Sequence, residues 1–207
     1  MVSAANGLDD DWFIVLNTIV LKKSSTVEAL AAPTGLAPDA VSRIVGYLTE
    51  EGHVLEFDGL VMPDDSATEA VKKYNEERYG DIRGQSDVAY CHQRFEELNE
   101  LMLKAIDAWQ QVKLGGSKIP NDHLDVTYDD KVISRIDGII SKLDDVLGKF
   151  GQRAVRFHRY PPRFEAAMNK VEADRRFISD PRVESVHNIW FELHEDILFL
   201  LGKERVN

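Results

Sequence analysis

The dipeptide Asp58-Gly59, set between His53-Val54-Leu55-Glu56-Phe57 and Leu60-Val61-Met62, constrains this chain more than any other feature. A two-residue hairpin turn of type I′ needs positive φ at both central positions, and Asp-Gly is a pair that supplies it, so the flanking runs are predicted to pair as antiparallel strands. Two short helices are predicted just upstream. Ser25 and Glu28 read as a capping box opening a first helix through Leu30, Ala31 and Ala32, with Gly35 as its stop. Pro38 suits the first turn of a second helix, Ala37 to Glu51, with Val41, Ile44, Val45 and Leu48 on one face. Ala31, Gly35 and Val41 stand where a helix-turn-helix needs a small residue at the crossing, a left-handed turn and an apolar plug. A largely apolar helix, Trp12 to Leu21, would pack against the pair.

In this order of elements the N-terminal part resembles the winged-helix domains of bacterial multiple-antibiotic-resistance-type (MarR-like) regulators, which read DNA with the second helix of the motif. On that helix Arg43 is the only cation, Ser42, Tyr47 and Thr49 are the hydrogen-bond donors, and Lys22 and Lys23 would have to converge with Arg43 on phosphate. Charge argues against this use. The chain has 25 Lys+Arg against 36 Asp+Glu, a formal net of −11, and residues 1–83 hold 7 basic and 15 acidic residues, about −8. Glu50, Glu51, Glu56, Asp58, Asp64 and Asp65 crowd the end of the helix and the hairpin, where they repel phosphate. The same residues also suit a module retained for protein contact.

A length of 207 residues and 43% hydrophobic content fit two modest cores. The expected fold class is mainly α: a winged helix-turn-helix with a small β-hairpin over 1–83, which includes a linker helix, and a helical bundle over 84–207. No apolar run approaches the length of a membrane span, and no charged-then-apolar leader is present, so a cytoplasmic protein without membrane contact is expected. The single cysteine, Cys91, reads as a small buried or half-buried residue. Ser66 and Glu69 read as a capping box for the linker helix, Ala67 to Tyr79. A period near 3.6 then predicts a helix from Phe95 through Trp109 to about Lys113, stopped by Gly115-Gly116, and another from Tyr128 to Phe150. Tyr160-Pro161-Pro162 would break the chain before a helix around Phe164 to Ala173, and Asp180-Pro181 would open a last helix with an apolar face from Val183 to Leu201. Four such helices suggest a bundle.

The bundle carries the richer chemistry. His187, Trp190, Phe191 and His194 fall at i, i+3, i+4 and i+7, so two imidazoles leave one helix face beside two large rings. With Trp109 and His123 these residues are the candidate lining of a pocket for an anionic or aromatic small molecule. His187 and His194 lie two turns apart, too far to share one ion. A metal site would therefore combine one of them with His92, one turn before Glu96, or with His123. Hydrogen bonding that ties loops to helices is the simpler and better supported account of these groups, and Asn121 to Asp125 looks built for local turn bonds. Arg153, Arg156, His158 and Arg159 form a basic cluster that suits an anion or a solvated loop. No phosphate loop, Gly-x-Ser-x-Gly elbow, His-Glu-x-x-His helix or kinase set occurs, so no catalytic residue and no cofactor are assigned.

Several short motifs add a second resemblance. Phe95 to Asn99 (Phe-x-x-Leu-Asn), Trp109-Gln110, Asn121 to Asp125 and the run Glu184 to Leu198 followed by Leu201 to Arg205 are similar to a family of actinobacterial winged-helix proteins with a helical C-terminal domain. It implies two domains and a regulatory role, some members standing beside phosphoenolpyruvate-utilising enzymes. The expectation is a ligand-responsive DNA-binding regulator, paired as a homodimer. The alternative is an accessory subunit that docks its acidic winged helix on a partner enzyme, such as one that transfers phosphoryl groups.

Overall fold

The structure, a computed structural model, describes residues 10–204. The first nine residues of the expected N-terminal domain, and Arg205 at the end of the C-terminal motif, lie outside them. The described chain is mainly helical with two small antiparallel hairpins. In order it forms α1 (Asp11–Lys22), α2 (Val27–Thr34), α3 (Pro38–Glu50), β1 (Val54–Phe57), β2 (Leu60–Pro63) and α4 (Asp65–Tyr79). There follow α5 (Ser86–Gln110), β3 (Gln111–Leu114), β4 (Ser117–Pro120), α6 (Val126–Arg153), α7 (Tyr160–Val171) and α8 (Val186–Leu201).

Local chemistry explains most boundaries. Gly35 ends α2 with φ 71°, its N–H donating to the Ala31 carbonyl, and the chain turns directly into α3. Asp58 and Gly59 both take positive φ, 51° and 74°, and pair Phe57 with Leu60 across the first hairpin. The start of α2 differs from the sequence reading. Thr26 is its cap, accepting from the Ala29 N–H, while Ser25 leaves the helix to exchange backbone bonds with Val61 as a one-residue extension of the hairpin. Asp64, not Ser66, precedes α4, and Ser66 donates to the Gly52 carbonyl instead.

Three further boundaries are corrected. The helix expected to run on to Lys113 stops at Gln110, and Gly115-Gly116 is the turn of a second hairpin, with φ 58° and 87°. Pro161 and Pro162 sit in the first turn of α7, where their missing N–H groups cost nothing, so Tyr160 begins that helix. The last helix opens at Ser185, whose hydroxyl accepts from the Asn188 N–H, rather than at Asp180-Pro181.

Buried apolar side chains gather into two cores. One joins Phe13, Leu16, Ile19 and Val20 of α1 to Leu30, Val41, Val45, Leu48, Val54, Val61 and Val71. The other joins the inner faces of α5, α6, α7 and α8. Tyr74 packs on both, stacking on Phe13 with ring centroids 3.8 Å apart. Almost every side chain of α1 from Phe13 to Leu21 is buried, because α3 and the first hairpin cover one side while α4 and α8 cover the other.

The seam between the cores is polar. Asp196 on α8 accepts from Asn17 of α1 (3.0 Å), from the Arg156 Nε (3.0 Å) and from the Tyr160 hydroxyl (3.0 Å). Arg156, 2% exposed, also donates to Asn75 of α4 and lies over the Phe13, Tyr79 and Phe157 rings. Beside it the Lys22 ammonium donates to Glu184 (2.7 Å) and Glu192 (2.9 Å), and Arg163 pairs with the same two carboxylates. Burial pushes the Glu184 carboxyl up, but Arg163 and Lys22 outweigh it and hold the group below the usual carboxylate range.

Candidate functional site

A cavity of about 420 Å³ opens between α5 and α8. The two helices run antiparallel, for Glu96 meets His194 and Asn99 meets Trp190, so positions advance on one as they retreat on the other. His187 therefore lines the end nearest Met102 and Ile106, while His194 lies with His92, Glu96 and Lys203 at the opposite end. Trp190, Phe191, Leu103 and Leu198 supply apolar wall. The Trp190 indole is fixed on both sides: its N–H donates to Asn99 Oδ1 (2.9 Å), and its ring stacks on Phe95 at 5.6 Å.

The polar end has a defined proton arrangement. Lys203 Nζ approaches His92 Nδ1 at 3.3 Å, and as an ammonium it can only donate, which places the imidazole proton of a neutral His92 on Nε2. That Nε2 is buried, faces Glu96 Oε1 at 3.5 Å and has no hydrogen-bond partner among the described residues. Glu96 Oε1 also lies 3.2 Å from His194 Nε2, so one carboxylate serves two imidazoles. Burial, reinforced by Lys203, holds His92 below its ordinary pKa, and burial alone does the same for His187. Burial thus disfavours the charged form of both imidazoles in the cavity wall.

The candidate ligand residues divide. His187, Trp190, Phe191 and His194 share the cavity; Trp109 and His123 do not. His123, at φ 58°, lays its ring on Trp109 at 4.4 Å and bonds the buried Asp129 at 3.0 Å. Asn121 completes this knot by donating to the Trp109 carbonyl and to Asp129, tying the foot of α5 to the head of α6. Sequence spacing had placed His92 and Glu96 on one helix face, but only the packing of α5 on α8 brings them to His194. Among the described residues no three His, Cys, Asp or Glu side chains are arranged to hold a metal ion. Cys91 is buried against the bundle core, and burial pushes its thiol up, away from the reactive thiolate form.

The candidate DNA residues divide as well. Ser42, Arg43 and Tyr47 lie on the exposed face of α3, and Lys23 is exposed just past α1. Lys22 is not available beside them, because its ammonium is engaged by Glu184 and Glu192 in the seam. The basic cluster also disperses: Arg153 pairs with Asp87, Arg156 is buried, and Arg159 donates to the Thr34 carbonyl at the end of α2. Arg163, Asn17 and Asp196 carry no local sequence signal, since each acts through partners distant in the chain. Among the described residues no helix is long and apolar enough to cross a membrane. No family model, curated protein or solved structure matches this chain.

Proposed function

We propose that the protein is a ligand-responsive, DNA-binding regulator of the MarR-like kind, related to the actinobacterial winged-helix proteins it resembles. In this reading α2, the Gly35 turn, α3 and the first hairpin form a winged helix-turn-helix that enters a major groove with Ser42, Arg43 and Tyr47, and the protein acts as a homodimer. The observation that carries the reading is the position of α8. One of its faces, with His187, Trp190, Phe191 and His194, walls the cavity, and another, with Glu192 and Asp196, is bonded to α1, on which α2 and α3 pack. A small molecule seated against α8 would bias the helix that supports α3, which gives the two sites a physical coupling.

Fluorescence anisotropy with duplex DNA from the protein's own upstream region, across a salt series, tests the reading. Sequence-preferring binding that weakens with salt, and that falls about tenfold or more with Arg43→Ala, is the expected result. Absence of binding at low salt would remove DNA from the proposal.

A further inference from the structure

The first hairpin is apolar on both faces. In an antiparallel pair, directly opposite residues share a face, so the register places Val54 with Pro63 and Glu56 with Val61 toward one side, and Leu55 with Met62 and Phe57 with Leu60 toward the other. Val54 and Val61 are buried against α1 and α3, while Glu56, on the same side but exposed, accepts from the Thr49 hydroxyl. Leu55, Phe57 and Leu60 are 50%, 74% and 40% exposed. A hairpin covered on one side ordinarily turns polar residues to water on the other, and here two cross-strand apolar pairs stand in that place.

The rim fixes the sign of the partner. Residues 50–65 contain Glu50, Glu51, Glu56, Asp58, Asp64 and Asp65 and no Lys or Arg. At this outer face of the hairpin, away from Ser42, Arg43 and Tyr47, such a rim disfavours DNA and anionic membrane surfaces. A second copy docking the same face would set these carboxylates against one another. We propose that the outer face of this hairpin, centred on Phe57 with Leu55, Leu60 and Met62, docks a protein segment that pairs aromatic or aliphatic side chains with flanking Lys or Arg. Apolar contact supplies the affinity, and the acidic rim supplies selectivity and a rapid approach. The proposal stands apart from DNA reading by α3, which would use Ser42, Arg43 and Tyr47.

A random-peptide display library, selected on the wild-type chain and counter-selected on the Phe57→Ser/Leu60→Ser variant, tests it. Because both side chains are exposed, the variant is expected to keep the wild-type circular dichroism and melting temperature. Selected peptides are expected to combine apolar residues with Lys or Arg, and to bind the variant about tenfold or more weakly than the wild type. Raising the salt concentration should weaken them, and replacing their Lys and Arg with Glu should abolish binding. Enrichment that survives in the variant, or peptides without a basic bias, would overturn the proposal. So would concentration-dependent dimerisation in sedimentation that the double substitution abolishes, which would make the face an interface between copies. DNA anisotropy on the same variant separates the two functional readings, since binding through α3 is expected to persist there.

Discussion

Asp196 gathers donors from two distant parts of the chain: Asn17 of α1, and Arg156 with Tyr160 just before and at the start of α7. Removing its carboxylate would take from the buried Arg156 guanidinium an oxygen that now lies 3.0 Å from its Nε, and breaking a buried pair from one side costs about 3–5 kcal/mol. Asp196→Ala is therefore expected to lower the unfolding free energy in urea by about that amount, with Asp196→Asn intermediate because an amide still accepts. A loss below about 1 kcal/mol would mean that the seam is held by apolar packing alone. Little of this was legible in sequence. Arg156 stands beside Arg153, His158 and Arg159 and reads as one more member of a solvated basic loop, while Asp196 is 40 residues ahead of it and 179 residues from Asn17. Periodicity reports which face of a helix is apolar; it carries no information about which polar side chain on another helix will meet it.

Element by element the sequence was more informative, for a physical reason. Helix and hairpin signals are local, and Gly35, Asp58-Gly59, Pro38 and the apolar stripe of α6 each act within a few residues of themselves. Errors arose where one local signal has two structural uses. Gly-Gly at 115–116 ends a helix or turns a hairpin equally well, and the β3–β4 pairing that decides between them spans only four residues a side. Ser25 and Thr26 are both competent caps, and the backbone bridge from Ser25 to Val61 decides for Thr26. Thr26→Ala is expected to cost about 1 kcal/mol, seen as a lowered melting temperature, while Ser25→Ala should change it little. The reverse ranking would restore the Ser25–Glu28 capping box. Half of the candidate site was legible in the same way: the four α8 residues follow from their spacing, whereas His92, Glu96 and Lys203 join them only through helix packing.

For the molecule as a whole, acid should act in two stages. His92 and His187 have folded-state pKa values below their unfolded ones, so the unfolded chain takes up protons first as pH falls through about 6.5, and stability drops there. Glu184 is shifted downward too, but as a carboxylate: its contribution is complete above the unfolded value near about 4.3 and is lost as pH falls through the lower folded value. Melting temperatures measured across this range are expected to show an early decline that His92→Gln/His187→Gln flattens, followed by a steeper loss that it leaves in place. An early decline unchanged by that double variant would assign it to other groups.

The seam also sets an order of events during synthesis. α1 leaves the ribosome well before α8, so Asn17 and Lys22 find their carboxylate partners only when residues 184–196 have been made. Until then the helix beneath α2 and α3 displays an uncovered flank with an uncompensated lysine, so the nascent chain carries a semi-finished N-terminal half that chaperones and proteases can inspect. Translation of α8 is the step that closes it.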